Sequence, residues 1–312
     1  MKPAMRLLLT GLLLGETLAA QPFSRQISLT TDNDAYLFKR KDRYYTNGLF
    51  FRLDKITGKH ARRISSWELG QMMYTPENLK IFNVADIDRA FCGYLYLQYS
   101  QASFHRPDEF FQWSITGGVV GKASLAEQFQ DFLHHLAGLY TLSGWKYQVT
   151  NEVNLNGGAS YARVLFPQAA ISSRLQWIPV VEGNLGNAFI NLKTGVYLRA
   201  GIFERLENSS LFHAGIGQGQ TPVLHKYELF AYFHPQVTLQ GYNATVQGGM
   251  FTAGDTSITA LPKIMVYQQT FGIAWARNRW AAHVEVTYQT QESSTQKLTQ
   301  RYASLQLGYR LR

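Results

Sequence analysis

Polar and apolar residues alternate with a period of two along most of this 312-residue chain. From 282 to 290 the odd positions are polar and the even ones mostly apolar, and from 305 to 312 the order is reversed. A period of two is that of a β-strand with one apolar and one polar face. After Gln21 no apolar run is long enough to cross a bilayer as a helix, which excludes a helical membrane protein. The chain is therefore predicted to be all-β.

The alternating segments number about twelve, an even number, which is typical of outer-membrane barrels. We therefore expect a transmembrane antiparallel β-barrel of about 12 strands. A soluble exported β-sandwich is the alternative, because the sequence does not reveal what the apolar face contacts. The segment 158–167 is either a thirteenth strand or a bent continuation of the strand before it. The predicted strands are 25–33, 45–54, 63–73, 93–102, 110–119, 147–156, 172–182, 190–203, 226–238, 264–276, 282–290 and 305–312.

Residues 1–20 are predicted to be a secretory signal peptide. Lys2 and Arg6 precede a short apolar stretch, and small residues follow it up to Ala20. This order is typical of cleaved signals, and the apolar stretch is too short to span a bilayer. We expect a mature barrel domain of residues 21–312, located in the cell outer membrane.

The net charge indicates which kinds of partner are suitable, and the cysteine count excludes an internal disulfide. The formal net charge is +9, and the predicted mature chain keeps about +8. The positive charge is spread along the chain and forms no basic stripe, so nucleic-acid binding is not expected, whereas an anionic lipid surface is a suitable partner. The single cysteine, Cys92, forms no internal disulfide. We expect a monomer stabilised by packing and by closure of the sheet.

One segment departs from alternation. From Ala123 to Leu136 the apolar residues recur at helical spacing, with glycines before and after the segment. Because a helix cannot join the wall of a barrel, this one is predicted to lie over the barrel mouth or inside the lumen. Gln130 and His134 are four residues apart and share one face of it.

The commoner catalytic signatures do not occur. The chain has no G-x-S-x-G, HExxH, CxxC or Walker motif, and Asp32–Asp34 does not extend to a full EF-hand. What remains is His134 on the predicted helix and an acidic, amide-bearing cluster near Thr46. Oxygen-rich groups of this kind suit Ca²⁺ better than Zn²⁺.

Several segments, in order, resemble the LpxR-type lipid A 3'-O-deacylases, a family of outer-membrane barrel enzymes. The first is Thr31–Asp34 followed by Asp42–Gly48, which resembles the family's amino-terminal signature. The resemblance implies a short helix near the active site of the barrel. The further matching segments are Leu69–Pro76, Asp88–Tyr96, Gly118–Gly121, Glu127–Gln130, His134 and Gly144–Trp145.

The resemblance also implies roles for individual residues. Asn33 and Asp34 match the family's active-site pair, and Thr46 its hydroxyl position. Arg89 matches an arginine near the reacting ester or a phosphate, and His134 matches the catalytic histidine. Asp34 would be a ligand of Ca²⁺. The chain departs from the family where it has Tyr140 in place of a glutamate, and the carboxylates that could substitute are Glu127, Asp131 and Glu152.

The activity implied is calcium-dependent hydrolysis of the 3'-linked acyloxyacyl ester of lipid A, with His134 as general base. The partners implied are lipopolysaccharide and the surrounding outer-membrane lipids, and the site must open sideways to the bilayer. The rival hypotheses are a non-catalytic barrel, either a porin or a degenerate family member, and an outer-membrane phospholipase.

Overall fold

The structure is a computed structural model and describes residues 23–37, 43–57, 62–78, 84–136, 138, 144–217, 221–252 and 258–312. The predicted signal peptide lies outside these residues, and so does Tyr140.

The described residues form twelve antiparallel strands that close into one barrel, as predicted. Each strand pairs with its neighbours in sequence, and β12 pairs with β1, so that Arg25 lies opposite Leu311 and Asn33 opposite Ala303. Closure leaves no unpaired strand edge. The strands are β1 (Arg25–Asn33), β2 (Tyr44–Thr57), β3 (Arg62–Thr75), β4 (Cys92–Phe104), β5 (Glu109–Val120), β6 (Glu152–Arg163), β7 (Leu175–Gly186), β8 (Phe189–Ile202), β9 (Tyr227–Asn243), β10 (Met265–Arg277), β11 (Trp280–Gln289) and β12 (Gln300–Leu311).

The sixth strand differs from its predicted position. β6 starts at Glu152, and 158–163 continues it, so 158–167 is not a thirteenth strand. Gly144–Tyr147 forms a short 3-10 helix, and the amide of Val149 donates to Phe91 O at 2.9 Å. Alternation in 147–151 was therefore misleading: these residues form the end of a 3-10 turn and a loop, in which only Val149 is buried.

Alternation along the strands separates a lipid-facing surface from a polar lumen. Outward positions carry exposed apolar side chains, and Trp67, Tyr99 and Trp113 pack side by side on the outside. Inward positions are polar; Arg52, for example, bonds Asp54 at 2.8 Å. An apolar outside and a polar inside are the arrangement of a transmembrane barrel and not of a sandwich.

We call the barrel end at which β1 finishes and β2 starts the upper end, and the other the lower end. The connection from β8 to β9 folds into the lower end, where Leu206, Ala214 and Ile216 pack against Phe104 and Ile178 of the wall. This connection fills the lumen there.

The described part of the chain contains two α-helices, α1 (Ala126–Leu136) and α2 (Ala244–Gln247). Neither of them is long and apolar enough to cross a membrane. Both belong to connections at the upper end. α1 confirms the helix expected between 123 and 136, except that its first residues form a 3-10 turn, Lys122–Ser124.

Candidate active site on the outer face of the barrel

A polar and covered patch interrupts the lipid-facing surface near the upper end. Asn33, Asn47, Met73 and Gly93 are successive register partners on β1 to β4, and their positions face outward. We call these four residues the rim rung. Four residues lower on each strand the outward side chains are apolar and exposed: Leu29, Phe51, Leu69 and Leu97 are 40%, 51%, 48% and 48% exposed. The rim rung therefore lies directly above an exposed apolar surface that suits contact with lipid.

Helix α1 covers the Met73 and Gly93 part of the rim rung from outside the barrel. Met73 has no exposed surface and belongs to a cluster with Phe91, Ala126 and Trp145, against which Phe129 packs. Gly93 has no side chain to keep the helix away, since a Cβ there would lie 2.3 Å from Ala126 Cβ. Gln71, which also faces outward, donates through Nε2 to Ser124 O at 2.7 Å. The predicted location of the helix, over the mouth or in the lumen, was wrong.

The segment after α1 anchors the helix to the wall. Trp145 is fully buried and donates its indole N–H to Gln130 Oε1 at 2.9 Å. Its ring packs on Phe91, 5.4 Å between centroids. Gly144 permits this approach, because a Cβ there would lie 2.2 Å from the Phe91 ring. Three segments that the sequence resemblance had singled out thus meet in one structural support.

One face of α1, which carries His134, is buried. Ala126, Gln130 and His134 follow one another at four-residue spacing and are all buried, so this face of the helix is turned to the protein. Ala126 lies over β4, and Phe129 packs against the cluster of Met73, Phe91, Ala126 and Trp145. The helix contacts β3 and β4. That His134 lies beside the Asn33–Asp34 pair stays a prediction.

The structure brings Asn33, Asp34 and Thr46 together at the upper ends of β1 and β2. Asp34 Oδ2 accepts from the amide of Arg43 at 2.9 Å, and Asp34 Oδ1 accepts from Thr46 Oγ1 at 3.3 Å. Asn33 Oδ1 accepts from the amide of Ala35 at 2.6 Å. Both Asp34 and Thr46 are buried, whereas Asn33 keeps part of its surface open.

A β-bulge places Thr46. In the ladder between β2 and β3, Tyr45 pairs with Tyr74 and Asn47 with Met73, so Thr46 is the extra residue. Bulges re-aim side chains and are frequent beside active sites. The bulge turns Tyr45 into the lumen, where its hydroxyl donates to Asp32 Oδ2 at 2.6 Å, and it leaves Asn47 facing outward. Nothing in the alternation of the sequence marks such an insertion, and Asn47 was not among the predicted site residues.

Arg89 lies deep among the upper connections. Its guanidinium pairs with Glu292 at 2.6 Å, donates to the hydroxyl and carbonyl oxygens of Thr245 at 3.0 and 3.2 Å, and stacks over the Tyr74 ring at 3.9 Å. It has almost no exposed surface. In this arrangement Arg89 joins three connections of the upper end to one another. Its predicted position beside the reacting ester stays a prediction.

A family model described as outer membrane protein LpxR matches residues 7–311. The chain belongs to the LpxR family. It is an outer-membrane protein, as its lipid-facing surface and its closed sheet had indicated.

One solved structure supports the fold. LpxR from Salmonella typhimurium superposes with a TM-score of 0.75 at 19% identity, covering 91% of this chain and 99% of that one. The translocator domain of the autotransporter NalP from Neisseria meningitidis gives a TM-score of 0.39 at 10% identity, covering 99% and 94%. A NanC porin gives 0.42 at 6% identity, covering 92% and 100%. The last two support no comparison of detail. No curated protein matches the chain.

The three carboxylates that could replace the family's glutamate differ in their surroundings. Glu152 accepts from the amides of Met250 and Phe251 at 2.9 and 2.7 Å, which commits it to the connection after β9. Glu127 accepts from Gln148 Nε2 at 3.2 Å. Asp131 stands three residues before His134 on α1, and its Oδ1 is buried with no hydrogen-bond partner in the described chain. Of the three, Asp131 is the one with an uncommitted oxygen next to the histidine's position on the helix.

The donor set near Asp34 has the chemistry that calcium prefers. The described residues contain no group of three or more His, Cys, Asp or Glu side chains able to hold a metal. Calcium, however, also binds neutral oxygens of amides, hydroxyls and water. Asp34 supplies one carboxylate, with the Thr46 hydroxyl bonded to it. Such a site fits Ca²⁺ with a single charged ligand, so the binding is expected to be weak without substrate or water oxygens.

Proposed function

We propose that this LpxR-family protein is a lipid A 3'-O-deacylase that hydrolyses the 3'-linked acyloxyacyl ester. The observation that carries the proposal is the placement of α1, a helix with a buried histidine, across the outward face of the wall that also holds Asn33. A hydrolase acting on lipids within the bilayer needs its polar groups on that face, open to the acyl chains from the side.

His134 acts as the general base. It accepts a proton from the attacking water and later returns one to the leaving alcohol oxygen. Histidine is the side chain that most often serves as a general base. Asp131, one turn before it, is the carboxylate available to orient the ring. It would take the role of the family's glutamate, whose position is occupied by Tyr140 in this chain.

Asp34 and its neighbours receive the ester carbonyl. The Arg43 amide and the Thr46 hydroxyl fix the carboxylate of Asp34. Asp34 would be the charged ligand of a calcium ion, which supplies positive charge to polarise the carbonyl. Asn33 is held through its Oδ1 by the Ala35 amide, so its Nδ2 is oriented and can donate to the substrate.

The substrate enters from the lipid. Acyl chains can lie along the apolar row that runs from Leu29 to Leu97, about 13 Å below the rim rung at 3.3 Å per residue. The headgroup of lipid A carries phosphates, and two exposed lysines, Lys122 and Lys146, stand before and after α1. Positive charge near a surface attracts an anionic headgroup. Both features suit an anionic, multiply acylated lipid.

The rival functions differ in their support. The β8–β9 connection packed inside the lower end argues against an open pore. A phospholipase would use the same outward cleft, and only its products separate it from a deacylase. Purified protein should therefore be incubated with lipid A and, separately, with phosphatidylethanolamine, each with calcium. We expect lipid A to lose the mass of its 3'-linked chains and phosphatidylethanolamine to stay intact. Fatty acid released only from phosphatidylethanolamine would overturn the proposal in favour of a phospholipase.

A further inference from the structure

We infer that Asn47 is a substrate-binding residue of this site and that its carboxamide donates a hydrogen bond to the ester carbonyl oxygen as negative charge develops there. The inference rests on the proposed function and adds to it a residue that the sequence motifs did not assign. Three observations support it: the direction in which Asn47 faces, its lack of protein partners, and its pairing with Asn33.

Asn47 faces the outside of the wall and not the lumen. It is the register partner of Asn33 on one side and of Met73 on the other, and Met73 is the residue covered by α1. Phe51, on the same face of β2, is 51% exposed to lipid. Asn47 is therefore on the outer surface of the wall, between the strand that carries Asn33 and the strand that the helix covers.

The side chain is buried and uncommitted. Asn47 is only 9% exposed, yet it makes no hydrogen bond with any part of the chain that the structure describes. Neither polar atom of Asn47 is among the described buried atoms that lack a hydrogen-bond partner, so both keep accessible surface. A ligand on this face of the wall can therefore reach the carboxamide.

The neighbouring groups are already engaged. The Thr46 hydroxyl donates its hydrogen bond to Asp34, and Asn33 Oδ1 accepts one from the Ala35 amide. The amide groups of Asn33 and Asn47 are then the N–H donors that remain on adjacent strands. Side chains directly opposite in an antiparallel pair have Cβ atoms about 5 Å apart. Two carboxamides at that spacing can both donate to one oxygen, as asparagine side chains do in oxyanion holes.

The step balances without a further reactant. The oxygen of water bonds to the carbonyl carbon while His134 takes one proton, and the carbonyl electron pair moves to the oxygen facing the two amides. When the carbonyl re-forms, the bond to the alcohol oxygen breaks, and the proton from His134 goes to that oxygen. The products are a free carboxylic acid and the 3'-hydroxyl.

Two substitutions at Asn47, both close to asparagine in size, test whether the residue acts by donating a hydrogen bond. Asn47→Asp keeps the shape and replaces the N–H donors with a second acceptor, and Asn47→Leu keeps the volume and removes both. Asn191→Asp is the control, because Asn191 lies in the lumen, where its Oδ1 accepts from Asn184 at 3.0 Å. kcat and KM for lipid A deacylation should be measured across a range of calcium concentrations, together with the unfolding temperature of each full-length protein.

For a donor to the developing charge we expect both Asn47 variants to lose kcat by about 100-fold. KM and the calcium requirement should stay within a few-fold of the wild type, and Asn191→Asp should be unaffected. An Asn47→Asp variant that retains kcat, or that needs less calcium, would overturn the inference and make Asn47 a packing residue or a calcium ligand. If one variant does not fold, the other decides. A wild type that leaves lipid A intact would instead refute the proposed function, and the inference with it.

Discussion

Trp145 holds Gln130 through its indole N–H at 2.9 Å, and Gln130 precedes His134 by one helical turn on the same buried face. The helix that carries His134 is therefore held by a residue outside it. This helix lies on the outside of the wall, and its support comes from Phe91 and Gly144 as well as from Trp145.

Replacing Trp145 with Phe keeps most of the ring and removes the N–H donor. We expect the loss of about 1 kcal/mol of stability, the usual contribution of one such hydrogen bond. We also expect a lower kcat with little change in KM, because His134 is less well positioned. Unfolding temperature and steady-state kinetics measure the two effects. An unchanged kcat in a folded protein would show that the bond does not position the helix.

Adding a methyl group at Gly93 should displace α1. A Cβ there would meet Ser124 Oγ at 2.0 Å and Ala126 Cβ at 2.3 Å. We expect Gly93→Ala to form the barrel and to lose at least tenfold in activity. Gly117→Ala on β5 is the matched control, because nothing lies within 4 Å of its Cβ position. If both variants keep full activity, the helix does not need close contact with β4.

Thr46 should act through its hydroxyl. Thr46→Ser keeps the donor to Asp34 Oδ1, whereas Thr46→Val keeps the shape and leaves the carboxylate with one partner fewer. We expect the serine variant to retain most activity and the valine variant to lose roughly tenfold, the effect of about 1.4 kcal/mol. The calcium concentration for half-maximal activity should rise in the valine variant. Equal activities would contradict a role for this hydrogen bond.

Arg89 and Glu292 should be coupled in stability. Removing one partner leaves a buried charge unpaired, which typically costs roughly 3–5 kcal/mol. We expect Arg89→Met and Glu292→Leu each to lower the unfolding temperature, and the double variant to recover part of the loss. If Arg89 supports the connections and does not contact substrate, the double variant should also regain activity. Recovered stability with activity still absent would place Arg89 at the ester or a phosphate instead.

Much of the fold could be predicted from the sequence because strands and the pairing of consecutive strands are marked by short-range sequence patterns. Alternation located eleven of the twelve strands to within five residues at each end, and it placed β6 too early because the loop before Glu152 imitated a strand. The Asn33–Asp34–Thr46 group was also predictable, since its members stand at the facing ends of neighbouring strands. These features need only short-range patterns and the rule that consecutive strands pair.

The rest depends on contacts between distant parts of the chain. The apolar stripe of α1 shows that the helix packs on something, but not that its partner is the outside of the wall. The one available signal was Gly93, a glycine at an outward position where an apolar residue is expected. Arg89 pairs with a glutamate more than two hundred residues later, and no local sequence pattern indicates such a pair. The bulge at Thr46 shifts the alternation, so the sequence did not indicate that Asn47 faces outward.

The central claim is that His134, on the buried face of a helix outside the barrel, carries out ester hydrolysis together with the Asn33–Asp34 pair. His135, the next residue along, is exposed and offers a matched control. The most direct measurement is mass spectrometry of lipid A after incubation with the wild type, His134→Gln and His135→Gln in the presence of calcium. We expect the wild type and His135→Gln to remove the 3'-linked chains and His134→Gln to remove none. Full deacylation by a folded His134→Gln variant would contradict the claim.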